Sequence, residues 1–291
     1  MGASPCDAFI ERPGAPTLRH DRRMTSAGAA ASSSLLSPSP AAPAAKPLLI
    51  VKTGSTFEAL RAQQGDFDDW IARGLGPHAL PVLVVDPRTG APLPEPSELR
   101  GIVITGSHEM VSHRAEWSER TAAWLARCVE SGVPVLGICY GHQLLAHALG
   151  GEVDFHPGGL EIGTVPLELA PAARDDPLFA GLPQRFAVNV IHRQSALRLP
   201  PGAVPLATNA HEPHHAFRVG HCAWGVQFHP EFDANAMRGY VQAHAAQLDD
   251  AAAIEDRVRS TPEAASLLQR FGQLTAHRNG QQTTWMTPGG R

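Results

Sequence analysis

Short apolar runs alternate with helical patterns along the first half of the chain. Four runs consist almost entirely of aliphatic residues, as strands buried on both faces do: 48–51, 82–85, 101–104 and 133–138. Phe67, Trp70 and Ile71 fall on one face of a helix between the first two runs. A second amphipathic helix, which includes Trp124 and Cys128, precedes the fourth run. This order predicts an α/β fold with a mainly parallel sheet covered by helices on both faces.

The pattern changes after Gly151. Apolar and polar residues now alternate in stretches separated by turn residues: 164–169, 186–191, 204–207, 216–219 and 223–228. Alternation with period two predicts antiparallel strands that still belong to the same domain. Met237, Tyr240 and Val241 then return to helical spacing, which predicts a helix packed against the sheet. We therefore predict a single open sheet rather than two separate domains.

The two ends of the chain differ from the middle. Residues 1–46 are rich in Ala, Ser and Pro and have no apolar period, which predicts a disordered tail. The folded domain is predicted to span 47–248. Residues 249–291 are predicted to form short helices anchored by Leu267, Leu268 and Phe271, followed by a loose end.

The amino-acid composition argues against nucleic acids and membranes as binding partners. The 291 residues are 43% hydrophobic, and the formal net charge is -4. There is no basic stripe, so nucleic acid is not an expected partner. No apolar run approaches the roughly 18 residues of a membrane span, so no membrane is expected either. The four scattered cysteines suggest neither a disulfide framework nor a zinc motif, and the cytoplasm is the expected compartment.

Five residues of types that bind metal ions lie close together in the sequence: His211, His214, His215, His221 and Cys222. Their spacing does not match a zinc motif, and exposed polar histidines account for them. We predict no metal and no cofactor. Cys128 falls within an amphipathic stripe and is predicted to be a core residue.

The stretch around Cys139 has the pattern of a catalytic nucleophile. An apolar run ends at this cysteine, a helical pattern starts immediately after it, and Gly137 and Gly141 flank it. This is the pattern of a strand–turn–helix elbow, in which small neighbours let a strained turn present one nucleophile. At a helix N-terminus the positive end of the dipole favours the thiolate, which is the reactive form.

A second motif supplies a base. His229-Pro230-Glu231 stands near the end of the last strand-like run, and a histidine beside a carboxylate can activate a thiol. Together the two motifs resemble the class I (triad) glutamine amidotransferase family, in particular the glutaminase domain of GMP synthase, over most of 48–248. The resemblance implies a flavodoxin-like sheet. It also implies that Cys139, His229 and Glu231 are the catalytic residues.

The same resemblance assigns further residues. The oxyanion hole would be formed by the backbone of Tyr140 and of the Gly106-Ser107 turn. Gln143 matches the position that contacts glutamine in the family, and His192 and Gln194 fall in the segment that lines the substrate pocket. The family sequence there is Ser-His-Gly-Asp or similar, whereas this chain has Ile191-His192-Arg193-Gln194-Ser195. That departure bears on how strictly glutamine is recognised.

Three functions remain open at this level. The first is cleavage of the γ-amide of glutamine through a cysteinyl thioester, with ammonia released for a separate synthetase or other acceptor. The second is hydrolysis of small γ-glutamyl compounds by a stand-alone peptidase. The third is a regulatory or binding subunit that is active only with a partner. The first two take a small-molecule substrate.

Overall fold

The computed structural model describes residues 45–77 and 80–277, which belong to one compact unit. The predicted N-terminal tail, up to residue 44, and the predicted loose end from residue 278 lie outside the described residues. The strands are β1 (Leu48–Val51), β2 (Val82–Val85), β3 (Gly101–Ile104), β4 (Val135–Ile138), β5 (Glu152–Phe155), β6 (Glu161–Leu169), β7 (Arg185–His192), β8 (Gln194–Arg198), β9 (Val204–Thr208), β10 (Ala216–Val219) and β11 (Ala223–Val226). The α-helices are α1 (Glu58–Gln64), α2 (Phe67–Gly74), α3 (Glu116–Glu130), α4 (Tyr140–Ala148), α5 (Ala234–Ala243), α6 (Ala251–Asp256) and α7 (Pro262–His277).

Nine of these strands form one sheet in the order β2-β1-β3-β4-β11-β10-β9-β6-β7. Strands β2, β1, β3, β4 and β11 are parallel to one another. Strands β10, β9, β6 and β7 continue the sheet with antiparallel pairing, and β5 pairs with β8 in a separate two-stranded sheet. The predicted combination of parallel and antiparallel strands is confirmed.

Successive residues of a strand point to opposite faces of the sheet. Apolar side chains therefore emerge on both faces, and helices cover both. Leu48 and Ile50 join the core on the face covered by α7, where Leu267 and Phe271 are fully buried. Leu49 and Val51 join the core on the other face, which is covered by α3 and α4. Cys128 is fully buried in that second core, and burial raises the pKa of its thiol to about 12, so its prediction as a core residue is confirmed.

Two sequence expectations differ from the structure. Strand β2 was predicted to be buried, but its residues Val82, Leu83 and Val84 are 39–42% exposed. The reason is position: β2 is the edge strand and pairs with β1 alone. The C-terminal region was predicted to contain only short helices, but α7 runs for 16 residues and packs on the central strands. Within the described part of the chain, no helix is long and apolar enough to cross a bilayer.

The parallel arrangement of the strands determines the position of the candidate active site. The carboxyl ends of neighbouring parallel strands meet at one edge of a sheet, where such folds bind their ligands. Strand β1 leads to Thr53, β3 to Thr105 and Gly106, β4 to Cys139, and β11 to His229. Residues that are far apart along the chain are therefore neighbours at this edge.

Candidate active site

Cys139 occupies a strained turn between β4 and α4. Its backbone has φ 50° and ψ -100°, an unusual conformation for a residue with a side chain. The flanking glycines are required for space: a Cβ on Gly137 would lie 2.3 Å from the Gly141 carbonyl oxygen, and one on Gly141 would lie 2.6 Å from that of Ile104. The elbow predicted from these glycines is therefore present, and it places the thiol at the N-terminus of α4.

The thiol lines a cavity of about 310 Å³ above the carboxyl ends of the strands. Cys139 is only 6% exposed, and its Sγ lies 3.6 Å from the carbonyl oxygen of Ile191. The other lining residues include Ser107, Gln143, His192, Arg193, Gln194 and His229. A buried thiol that faces a small cavity lined by apolar and polar side chains has the setting needed to attack a small bound substrate.

His229 follows β11 and is fixed by Glu231. The Nδ1 atom lies 2.8 Å from the Glu231 Oε1 atom, and both side chains are buried. The ring stacks on Phe232 with centroids 4.1 Å apart. Burial on its own lowers the pKa of His229, but the charges of Glu231 and Cys139 outweigh it and raise that pKa to about 10. Nε2 makes no hydrogen bond to the residues described and is available to the Cys139 thiol.

Gly106 shows that the strand ends converge. A Cβ built on this glycine would lie 3.0 Å from His229 Cε1 and 3.8 Å from Cys139 Cβ. The turn after β3 therefore lies beside both the Cys139 and the His229 side chains. A thiol, an imidazole–carboxylate pair and a glycine backbone at one point are the components of nucleophilic acyl transfer.

The three residues predicted to contact substrate all line the cavity, and the side chain of each already makes hydrogen bonds within the protein. Gln143 uses its Nε2 to donate to the Gln194 carbonyl at 2.7 Å and to the Gln227 Oε1 at 3.0 Å. The Gln194 side chain donates to the Ser112 hydroxyl at 2.5 Å and accepts from the Ser112 backbone N–H. The Gln143 Oε1 atom makes no hydrogen bond within 45–77 and 80–277, so it is the free acceptor of this group.

The chain matches the family described as Glutamine amidotransferase class-I over residues 64–245, more than half of its length. It belongs to the class I glutamine amidotransferase family. Among curated proteins, the GMP synthase [glutamine-hydrolyzing] of Thermomicrobium roseum is 42% identical over 132 residues, which cover 45% of this chain and 23% of that protein. That of Aeropyrum pernix is 40% identical over 131 residues, covering 45% and 24%. The chain thus spans about a quarter of the length of these relatives.

Solved structures agree with this fold. A glutamine amido transferase from Methylobacillus flagellatus has a TM-score of 0.61 and 25% identity to this chain. The match covers 80% of this chain and 94% of the Methylobacillus chain. A glutamine amidotransferase from Thermotoga maritima covers 80% and 99%, with a TM-score of 0.63 and 22% identity, and this likeness bears on the fold alone.

A buried cluster of two histidines and one carboxylate supports the pocket wall of the amidotransferase. His192 Nε2 lies 2.8 Å from Glu161 Oε2, and His192 Nδ1 lies 3.1 Å from the Gln194 carbonyl oxygen. His215, which the sequence suggested to be an exposed histidine, is fully buried, and its Nε2 atom is 3.3 Å from the same carboxylate oxygen. Burial raises the pKa of Glu161, but the hydrogen bonds from His192 and His215 outweigh it and hold that pKa well below its usual range. The cluster fixes the strand ends that carry Gln194.

The cluster of Glu161, His192 and His215 does not have the spacing of a zinc site. Its potential ligand atoms lie within 4.8 Å of one another. However, the 2.8 Å between His192 Nε2 and Glu161 Oε2 is a hydrogen-bond length. Two ligands of a tetrahedral zinc ion with bonds of about 2.1 Å would lie about 3.4 Å apart. We therefore interpret the cluster as a hydrogen-bonded histidine–carboxylate cluster.

Sequence reasoning missed three residues of this region: Glu161, Thr53 and Thr105. Glu161 starts an alternating strand and looks like any solvent-facing acid. The threonines follow the ends of β1 and β3, so the rule that ligands bind at the carboxyl ends of parallel strands could have drawn attention to them. What they contact depends on chain segments about fifty residues away.

Proposed function

We propose that this amidotransferase hydrolyses the γ-amide of glutamine to glutamate and ammonia. The observation that carries the proposal is the meeting of Cys139, Gly106 and the His229–Glu231 pair at one cavity. The raised pKa of His229 keeps a proton on the imidazole at neutral pH. The proposed mechanism uses this imidazolium as the acid for the leaving amine and the Cys139 sulfur in its reactive thiolate form.

In the first half-reaction, the Cys139 sulfur forms a bond to the γ-carbonyl carbon, and the carbonyl oxygen becomes an oxyanion. Backbone N–H groups of Tyr140 and Ser107 stabilise this charge. His229 then gives its proton to the amide nitrogen as the carbon–nitrogen bond breaks, which releases ammonia and leaves a γ-glutamyl thioester.

In the second half-reaction, His229 accepts a proton from a water molecule as the water oxygen attacks the thioester carbon. The sulfur departs as thiolate, and glutamate is released. Glu231 keeps the imidazole oriented and stabilises its charged form in both halves. No cofactor is needed at any step.

We further propose that the two charged side chains of the cavity bind the α-carboxylate and the α-ammonium group of the substrate. Arg193 and Glu109 both line the cavity, and neither forms an ion pair in the part of the chain that the structure describes. The α-carboxylate of glutamine would contact Arg193. The α-ammonium group would contact Glu109 and the free Oε1 atom of Gln143. These contacts would replace those of the family's Gly-Asp pair, which this chain lacks.

Replacing the nucleophile tests the chemistry. Cys139→Ala is expected to lower glutaminase turnover by more than about 1000-fold, because the thioester cannot form. Cys128→Ala is the matched control, since it removes a buried thiol from the same structure without touching the cavity. Glutamate formation is measured directly, and intact-protein mass spectrometry locates the adduct of a diazoketone glutamine analogue. Full turnover by Cys139→Ala would refute the proposal.

A second candidate activity is supported by the aromatic side of the cavity. From His229, rings continue through Phe67 at 6.5 Å and His108 at a further 6.4 Å to Phe57 and Tyr240. His229 protonates the departing amine, so these rings lie where a leaving group larger than ammonia would pack. This feature favours hydrolysis of small γ-glutamyl compounds. Comparing kcat/KM for glutamine and for γ-glutamyl dipeptides separates the two, and a large preference for glutamine would remove the second candidate.

The fate of ammonia is also a proposal. The relatives are named GMP synthase [glutamine-hydrolyzing], and the chain matches about a quarter of each. We propose that a separate acceptor enzyme consumes the ammonia. Robust glutaminase activity of the purified chain, without any stable partner in a pull-down, would exclude a purely regulatory role and argue against a required partner.

A further inference from the structure

The turn after β3 is held by two buried threonine hydroxyls. The Gly106 carbonyl oxygen accepts hydrogen bonds from Thr105 Oγ1 at 2.9 Å and from Thr53 Oγ1 at 3.2 Å. Thr53 also donates its backbone N–H to Thr105 Oγ1 at 3.0 Å, and its Oγ1 lies 2.9 Å from the Thr105 carbonyl oxygen. Both threonines are fully buried. The Gly106 carbonyl is therefore fixed in one direction.

Fixing the carbonyl also fixes the next N–H. A trans peptide is planar, so its C=O and N–H groups point in opposite directions. The Gly106 carbonyl points towards Thr53 and Thr105, so the Ser107 N–H points away from them. Ser107 lines the cavity, the Gly106 Cα faces Cys139 and His229, and the Ser107 N–H donates to no group in the described ranges.

A glycine makes this restraint necessary. Residue 106 has no side chain, so its backbone can reach conformations closed to other residues. Rotation of the Gly106-Ser107 peptide would turn a carbonyl oxygen towards the cavity, where it would repel an oxyanion instead of stabilising it. The two threonines oppose that rotation through hydrogen bonds that exist only in the observed orientation.

We propose that Thr53 and Thr105 act as a latch that holds the Ser107 N–H in the orientation of an oxyanion-hole donor. Both are positioning residues, since neither contacts the reacting atoms. This inference rests on the proposed glutaminase function and adds to it the device that keeps the oxyanion hole formed.

The experiment compares Thr53→Val and Thr105→Val with Thr53→Ser. Valine keeps the shape of threonine and removes the hydroxyl, whereas serine keeps the hydroxyl. Loss of one oxyanion donor costs roughly 100–1000-fold in rate, so a donor that is only partly misoriented should cost about 10–100-fold in kcat. KM should change less than about threefold, because the ground-state amide gains little from the oxyanion hole. Thr53→Ser should restore most of kcat.

The matched control is Thr121→Val. Thr121 is a buried threonine whose hydroxyl donates to the Trp117 carbonyl within α3, and it does not line the cavity. It should show a comparable change in melting temperature with unchanged kcat. A readout independent of turnover is inhibition by glutamate γ-semialdehyde, which forms a tetrahedral hemithioacetal with a thiolate. The latch variants should weaken that inhibition by the factor lost in kcat.

The outcomes separate this inference from the function beneath it. If the wild-type chain cleaves no glutamine, the proposed function fails. If the wild type is active and both valine variants keep kcat within twofold, the latch is refuted. It is also refuted if Thr53→Ser loses as much activity as Thr53→Val, because the hydroxyl would then not be responsible.

Discussion

Replacing Glu231 by glutamine removes one negative charge beside the imidazole and keeps the shape of the side chain. Glu231 Oε1 lies 2.8 Å from His229 Nδ1, and both side chains are out of contact with water. Opposite unit charges about 4 Å apart attract by about 4 kcal/mol at an effective dielectric constant of 20. Because one pKa unit corresponds to about 1.4 kcal/mol, the pKa of His229 should fall by roughly 3 units.

The direction of the effect of Glu231→Gln on activity follows from the protonation state of the His229 imidazole. With its pKa at about 10, His229 carries its proton at neutral pH and loses it as the pH rises through about 10. The wild-type rate should therefore fall only in that alkaline range. In Glu231→Gln the falling limb should move to a pH of roughly 7. At pH 8 the lost proton alone should lower kcat/KM by about 10-fold. The lost orientation of the imidazole should add to this, up to the roughly 10⁴-fold loss that follows when the carboxylate of a comparable triad is replaced.

Two measurements check this reasoning. The first is glutamate release between pH 5.5 and 10.5, as a function of glutamine concentration. The second is the rate of iodoacetamide alkylation at Cys139 over the same range, which reports the thiolate without substrate. Glu130→Gln is the control, because Glu130 is an exposed glutamate at the end of α3. A Glu231→Gln enzyme with the wild-type pH profile for both readouts would show that this charge does not set the state of His229.

Two further predictions concern binding and space. Arg193→Gln should raise KM for glutamine by roughly 10–100-fold with kcat changed less than about threefold, because a charge-assisted hydrogen bond to the α-carboxylate is lost. Arg257→Gln is its control, and an unchanged KM would exclude the contact. Gly106→Ala should lower kcat by about 100-fold, since the new Cβ would lie 3.0 Å from His229 Cε1 and displace the ring. Gly90→Ala, with nothing within 4 Å, should alter stability alone, and equal activity of both alanine variants would contradict this account.

The elements around Cys139 could be predicted because their causes are local. Gly137 and Gly141 stand two residues on either side of the cysteine, and the contacts that exclude a Cβ there involve the same turn or the adjacent β3. An apolar run that stops at a thiol already encodes the end of a strand. His229 and Glu231 are likewise two residues apart, so their mutual contact needs no knowledge of the fold.

Features that depend on distant contacts could not be predicted. The run Val82–Val85 is as apolar as Leu48–Val51, and only the strand order shows that one is an exposed edge and the other central. Thr53 and Thr105 are 52 residues apart, and Glu161 and His192 are 31 residues apart. Their pairing follows from strand order, which the pattern of apolar residues does not specify.

The departure from the family sequence at Arg193-Gln194 has a structural interpretation. Gln194 does not take the place of the family's acid, because both ends of its amide are bonded to Ser112. Its backbone carbonyl instead holds the Gln143 amide nitrogen, which leaves Gln143 able only to accept.

An acceptor can receive the α-ammonium group but cannot bind the α-carboxylate, so the carboxylate needs a cation from elsewhere. Arg193 is the residue of this segment that carries one, and its guanidinium contacts the neutral Gln247 side chain rather than an acid. Recognition would then depend more on the two charged ends of a γ-glutamyl group than on its leaving amine. The aromatic side of the cavity would decide which amines are accepted.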